Sequence, residues 1–170
     1  VGHLHYVLFG GSLFGAFAGI SFWYPKMFGR KLNDRLGQIH FWPSLVAMNF
    51  IFMPMFIQGL AGISRRLYDG GAQYAHAQGY LHLNAVMSIA AWSLAIAQIP
   101  FIINIFWSMF KGKKVENDNP WDATTLEWAT PTPPGHGNFL KDPVVYRGPY
   151  EYSVPGATKD FTPQNQENVI

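Results

Sequence analysis

The sequence has no cysteine and few charged residues, and each shortage excludes a class of protein. Without cysteine the chain has no disulfide framework, no thiol nucleophile and no thiolate-bound metal or iron–sulfur cluster. Asp, Glu, Lys and Arg together make up 13% of the chain, against roughly 25% in a typical soluble domain. The formal net charge is +2 and no basic run carries interleaved aromatic residues, so nucleic-acid binding is excluded. Hydrophobic residues make up 49% of the chain, and this composition predicts a membrane protein.

Three long stretches without charge predict transmembrane helices. Asp, Glu, Lys and Arg are absent from residues 1–24, 39–63 and 80–110. At about 1.5 Å per residue, each stretch can cross the roughly 30 Å hydrocarbon core of a bilayer. We therefore expect three transmembrane helices, at about residues 1–25, 38–64 and 76–110, within a first region that comprises residues 1–110.

Polar residues inside these stretches indicate neighbouring helices, because amide side chains are costly against lipid. They are Asn49, Gln58, Asn84, Gln98 and Asn104. Small residues of the first stretch, such as Gly10, Gly11 and Gly15, would allow close helix contact, although glycine is common in membrane helices in general. We expect an all-α membrane protein whose three helices belong to a larger bundle.

The basic residues predict an orientation in the membrane. They follow the first and third stretches, as Lys26, Arg30, Lys31 and Arg35 and as Lys111, Lys113 and Lys114. If three helices alternate in direction, both groups lie on one side, which the positive-inside rule makes the cytoplasm or the mitochondrial matrix. The loop with Arg65 and Arg66 then faces outward, at the membrane level of His3 and His5.

The composition changes at the start of the second region, residues 111–170. Eight of the twelve prolines lie beyond Lys114, and proline continues neither a helix nor a central strand. The region also holds more aromatic residues than a disordered linker would. We expect an extended Pro-rich tail on the inner surface, packed against partner subunits or the helix bundle.

Two histidines stand one residue apart at the start of the first stretch. Positions two apart on an α-helix differ by about 200°, so His3 and His5 point to nearly opposite sides and cannot chelate one metal. The pair suits two separate centres that flank one helix, and a neutral imidazole in an apolar bundle is a good axial ligand for haem iron. The alternative is that each histidine only forms a hydrogen bond across a helix interface.

Arg65 and Arg66 supply the charge that such cofactors need. Haem propionates are carboxylates, and a guanidinium group binds a carboxylate bidentately without losing its charge. Taken alone, the two arginines could equally be interfacial or topology-determining residues. Their predicted depth beside two histidines favours propionate binding.

Six segments together resemble one known family. They read "HLHYVL", "FWYPKMFG", "QIHF", "NFIFMP", "GLAGISRRLYD" and "TLEWATPTPP". In combination they resemble the C-terminal part of subunit I of haem-copper cytochrome c oxidases of the aa3 branch, from within transmembrane helix ten to the C-terminus. The resemblance implies three helices of a larger bundle of about twelve, followed by an inner tail.

The resemblance implies a role for each of the four residues. His3 matches the axial ligand of the high-spin haem, where oxygen is reduced, and His5 matches an axial ligand of the low-spin haem. Arg65 and Arg66 match the pair that contacts the haem propionates. The family often has proline before this pair, where this chain has Ser64, which could loosen the loop. The remaining histidines, at positions 40, 76, 82 and 136, match no cofactor ligand, and we expect structural or surface roles for them.

The resemblance also implies what the complete assembly does. We expect reduction of O2 to water coupled to proton pumping, with two haems of the haem A type and a copper ion that this chain does not ligate. The expected partners are the remaining N-terminal helices of subunit I, oxidase subunits II and III, cytochrome c as electron donor, and membrane lipid. The chain alone is then catalytically incomplete, whether it is part of a longer subunit or one polypeptide of a split subunit. The membrane would be the bacterial cytoplasmic or the mitochondrial inner membrane.

Two readings of another class stay open. One is a non-catalytic dihaem electron-transfer protein, and the other is a structural subunit without cofactors. Carbon monoxide binding separates the first from an oxidase, because only a haem with an open coordination position binds it.

Overall fold

The computed structural model describes residues 1–153 and 155–167, and the regular secondary structure within these is helical. Three long helices occur in chain order, namely α1 (Gly2–Phe28), α2 (Asp34–Leu60) and α3 (His82–Lys111). Short 3-10 turns lie at Ala75–Tyr80 and Leu126–Ala129. The described residues form no named strand, and only an isolated antiparallel bridge joins Arg30 to Lys114. All three helices are long and apolar enough to cross a membrane, so the prediction of an all-α chain with three such helices is confirmed.

The helix ends differ from the charge-free stretches because local capping sets them. Helix α2 begins at Asp34, since the side chain of Asn33 accepts a hydrogen bond of 3.1 Å from the Leu36 amide and caps the first turn. Helix α3 begins at His82, after the 3-10 turn. A capping side chain can start a helix among charged residues, which a search for uncharged runs passes over.

The end of α2 carries a glycine motif that stops the helix. Gly62 has φ +81°, the left-handed region in which glycine is favoured. Its amide donates to the Gly59 carbonyl at 3.1 Å, and the Ile63 amide donates to the Gln58 carbonyl at 3.0 Å. These two bonds form a Schellman motif, which satisfies the last carbonyls of α2 and turns the chain into the loop of Ser64.

The chain divides into two compact units. The first comprises Val1–Ile20 and Asn33–Trp107, and the second comprises Ser21–Leu32 with the described chain from Ser108 onward. In the first unit, the buried side chains of Met48, Ile51 and Phe52 on α2 meet Ala90 of α3. Aromatic and aliphatic residues of all three helices pack around them, namely Tyr6, Phe9, Phe14, Leu45, Met55 and Leu94.

The amide side chains of the first unit pair with other protein groups, as predicted. Gln98 of α3 lies 3.0 Å from the buried His40 ring and donates to Ser44 Oγ at 3.0 Å, both on α2. Gln58 donates to Asn84 Oδ1 at 2.8 Å. Each pair satisfies a polar group that lipid cannot, and so fixes the register of α2 against α3.

Asn104 forms the most enclosed of these contacts. Its side chain is 1% exposed; it accepts from the Asn33 amide and donates to the Asn33 carbonyl, both at 2.9 Å. The side-chain amide of α3 therefore pairs with the backbone at the start of α2 in the way that two strands pair.

The second unit is organised around a buried lysine. Lys26 is 4% exposed, and its Nζ donates to the carbonyls of Asp118 and Thr130 at 2.8 and 2.6 Å and to Thr132 Oγ1 at 2.9 Å. The ammonium group also lies 5.5 Å from the ring centroid of Trp128, which is 2% exposed. Because all three ammonium protons have acceptors, this cation is fully satisfied although it is buried.

Lys26→Met removes these donors while keeping a long apolar side chain. The buried Thr130 carbonyl then loses its charged donor, which we expect to destabilise the second unit by about 1–3 kcal/mol. Limited chymotrypsin digestion measures the effect, because Trp128 becomes accessible as the unit opens. Lys141→Met, at an exposed tail position, is the matched control. Equal cleavage rates at Trp128 in wild type and Lys26→Met would contradict the assigned role.

Candidate functional site

His5 is held with one ring nitrogen bound and the other available. Its Nδ1 lies 2.9 Å from the carbonyl oxygen of Val1. A carbonyl only accepts, so Nδ1 carries a proton, and in the neutral ring Nε2 then keeps its lone pair. A metal-binding imidazole commonly donates its other ring N–H to a carbonyl in this way, and the contact fixes both its tautomer and its orientation. The ring is half-buried, with its centroid 5.4 Å from that of Phe52 on α2.

His3 lies on a different side of the same helical turn. Its side chain is exposed, whereas His5 packs against α2. Leu4, Val7 and Leu8 are also exposed, each by more than half of its surface. His3 therefore stands in an unpartnered apolar surface, and the described contacts separate the two imidazoles as their spacing predicts.

The turn that carries both histidines lies very close to α2. A Cβ atom on Gly2 would lie 2.9 Å from Phe56 Cδ2, 3.1 Å from the Phe56 nitrogen and 3.2 Å from the Phe52 carbonyl oxygen. One turn later, the Tyr6 hydroxyl donates to Asn49 Oδ1 at 2.8 Å. The sequence gives no reason to single out Gly2 or Tyr6, because their importance depends on how closely α1 approaches α2.

Directly after His5 the helix widens. The segment Tyr6–Leu13 is a π-helix between the α-helical segments Gly2–His5 and Phe14–Phe28. Wide turns of this type are rare and are often found at functional sites. Gly10, Gly11 and Ser12 lie within it, and this cluster of small residues is the one sequence signal that could have indicated the irregularity.

Arg65 and Arg66 follow the Schellman motif at the end of α2. Both side chains are exposed, and Arg66 has φ +61°, a left-handed conformation that is costly for a non-glycine residue. Arg65 and Val1 line the same open cavity of about 440 Å³, together with Gln58, Ser64 and other residues. The structure thus brings Arg65 close to the start of α1, where His5 forms its hydrogen bond to Val1.

The other histidines lie elsewhere. His40 is buried between Phe17 and Phe101, with ring centroids 4.7 Å from each. His76, His82 and His136 are exposed. Across residues 1–153 and 155–167, no three His, Asp or Glu side chains come together in a way that could hold a metal ion.

Known proteins give the same assignment as the motifs. Residues 1–113 match the family described as Cytochrome C and Quinol oxidase polypeptide I. The chain belongs to this family. The resemblance to subunit I of haem-copper cytochrome c oxidases is therefore confirmed. Together with the three apolar helices, the family identifies an integral membrane protein.

Similar bacterial proteins cover nearly the whole chain. "Cytochrome c oxidase subunit 1" of Synechocystis sp. is 49% identical over 91% of it, and the protein of that name from Thermostichus vulcanus is 47% identical over 91%. "Alternative cytochrome c oxidase subunit 1" of Bradyrhizobium diazoefficiens is 46% identical over 98%. The chain spans only 27 to 28% of the length of these relatives.

The residues at the start of α1 fit a haem. His5 offers an oriented imidazole with a free Nε2, and His3 offers a second imidazole within an exposed apolar surface. An axial ligand and an apolar face are what a porphyrin plane needs from a helix, and a guanidinium group nearby suits its propionates.

Gly2→Ala tests the close contact on which this arrangement rests. The added methyl group overlaps Phe56, so α1 must move away from α2. We expect the free energy of unfolding to fall by about 1–3 kcal/mol. Gly11→Ala is the matched control, because a Cβ there meets nothing within 4 Å. Thermal unfolding in detergent compares the two, and equal midpoints would mean that the contact is not tight in solution.

Proposed function

We propose that the chain forms part of the catalytic subunit of a terminal respiratory oxidase. In this proposal His3 is the axial ligand of a high-spin haem and His5 is an axial ligand of a low-spin haem. The observation that carries the proposal is the hydrogen bond from His5 Nδ1 to Val1, in a turn whose other histidine faces away from it. Membership of the oxidase family supports it, because the two histidines lie within the matched residues.

The bound haems would supply electron transfer and, at the position with an open coordination site, oxygen binding. The residues of this chain would hold the haems and orient their ligands. His5 is fixed by its carbonyl contact and by Phe52, and the Tyr6–Asn49 hydrogen bond fixes the next turn of the helix. Leu4, Val7 and Leu8 make the face on which His3 stands apolar, and a porphyrin packed against them would exclude water from that face.

Arg65 and Arg66 would bind haem propionates. Neither has an ion-pair partner among the described residues, so both guanidinium groups are available to a carboxylate. Arg65 borders the cavity that reaches the start of α1. The left-handed backbone conformation of Arg66 is energetically costly, and functional sites often retain such conformations.

The rest of the assembly belongs to the same proposal. Its cofactors are two haems of the A type and a copper ion held outside this chain, and it reduces O2 to water with proton pumping. Its partners are the N-terminal helices of subunit I, subunits II and III, cytochrome c and lipid. The tail lies on the cytoplasmic or matrix side, which the basic residues after α1 and α3 support. A non-catalytic dihaem electron-transfer subunit is the second candidate, since the histidine geometry suits both.

Substitution of each histidine separates these functions. In the purified assembly, His3→Ala should abolish oxygen reduction and carbon monoxide binding but keep the low-spin absorption band. His5→Ala should lose the low-spin band and block electron entry. His136→Ala, in the exposed tail, is the control and should match wild type. Wild-type spectra and turnover in both His3→Ala and His5→Ala would refute the ligand assignment. Two haems that never bind carbon monoxide would favour the dihaem electron-transfer protein.

Arg65→Gln and Arg66→Gln test the propionate contacts. Removing a cation beside a haem favours the oxidised iron, so the midpoint potential should fall, by a shift on the order of 60 mV for a tenfold change in a one-electron equilibrium. Redox titration of the absorption bands measures it. Arg35→Gln, near the start of α2, is the control; an equal shift in that variant would indicate a general charge effect instead.

A further inference from the structure

A second site lies in the second unit, outside the residues proposed to hold haem. The chain before α2 and the chain after α3 enclose a cleft of about 200 Å³, here called the basic cleft. Lys31, Lys113 and Lys114 line it, with Glu116 and Asn117. The proposed oxidase chemistry uses none of these residues.

Backbone pairing builds the basic cleft. The Lys31 amide donates to the Lys113 carbonyl at 2.8 Å, and the Val115 amide donates to the Gly29 carbonyl at 3.0 Å. The Arg30 guanidinium adds a hydrogen bond of 2.7 Å to the Gly112 carbonyl. These bonds bring lysines that are distant in sequence to one cleft, so the cluster is a product of the fold.

The basic cleft carries more positive than negative charge. Lys113 forms an ion pair of 3.3 Å with Glu116. No carboxylate of the described chain lies within ion-pair distance of Lys31 or Lys114. Lys31 Nζ lies 4.6 Å from the ring centroid of Trp121, a cation–π contact that holds the ammonium group in place without neutralising it. Two uncompensated lysines around one cleft favour an anionic ligand.

The position of the basic cleft in the chain identifies the kind of anion. Its two segments begin directly after Phe28 of α1 and Lys111 of α3, the ends of two helices able to cross a membrane. Trp121 donates from its indole nitrogen to the Phe22 carbonyl at 2.9 Å, and its ring stacks on Phe22. Tryptophan is enriched at the level of lipid head groups, and basic pockets beside membrane helices bind anionic ones.

We propose that the basic cleft binds the phosphate group of an anionic phospholipid, with Lys31 and Lys114 as its ligands. The cleft has room for a phosphate and a few waters, since one water takes roughly 30 Å³ in the liquid. The bound lipid would join the chain before α2 to the chain after α3 at the membrane surface. Positive-inside topology alone would instead treat all basic residues of this region alike.

Lipid binding to the purified protein distinguishes a site from diffuse charge. Phosphatidylglycerol is titrated into detergent micelles, and bound lipid is counted by native mass spectrometry. Lys31→Gln and Lys114→Gln should each weaken binding about fivefold, and Lys114→Arg should restore it. Lys111→Gln removes the same charge from the last turn of α3 but lines no part of the cleft. It should bind as wild type does, and an equal loss in this variant would overturn the proposal.

Two further ligands test the lipid assignment. Phosphatidylcholine, which has a phosphate but no net charge, should bind more weakly than phosphatidylglycerol; equal affinity would contradict selection for an anionic lipid. Inorganic phosphate should displace phosphatidylglycerol only at far higher concentration, because it lacks the acyl chains. Displacement at matched concentration would identify a site for free anions and would overturn the lipid as occupant.

Discussion

At Gly2 the backbone of α1 lies against the backbone of α2, with space for a hydrogen atom and none for a methyl group. This contact sets where the first turn of α1 lies, and the turn contains both histidines. Because the helices touch there, His5 meets Phe52 and Tyr6 reaches Asn49. The same contact leaves His3 on the exposed side. The absence of a side chain at Gly2 thus allows the first turn of α1 to pack with His5 against α2 and with His3 exposed.

Away from this contact, polar pairs hold the first unit together. Lipid is as apolar as leucine, so apolar burial alone gives membrane helices little reason to associate. The pairs Gln98–Ser44 and Gln58–Asn84 supply specific bonds between α2 and α3. Each has one preferred register, since a shift of one residue would leave an amide unsatisfied in an apolar setting. The amides that indicated a bundle in the sequence are therefore also the groups that align its helices.

The sequence predicts well what depends on composition and poorly what depends on distance. Uncharged runs locate three helices, because a helix in lipid cannot tolerate charge along its length. The spacing of His3 and His5 predicts their separation, because the first turn is α-helical. The contact at Gly2 and the three acceptors around Lys26 could not be predicted. Each depends on atoms that residues far apart in sequence bring together, which a local pattern does not contain.

The candidate site is held in two physically different ways. His5 is positioned by helix packing and a carbonyl contact, so its geometry depends on α1 and α2 remaining together. Arg65 and Arg66 are positioned by the backbone of a loop, which Gly62 starts by stopping α2. Their side chains have no described ionic partner, so a bound carboxylate would order them. In the proposed site, His5 is thus preorganised by the fold, whereas the arginines would gain their order from the ligand, and the free energy of ligand binding would include the cost of ordering their side chains.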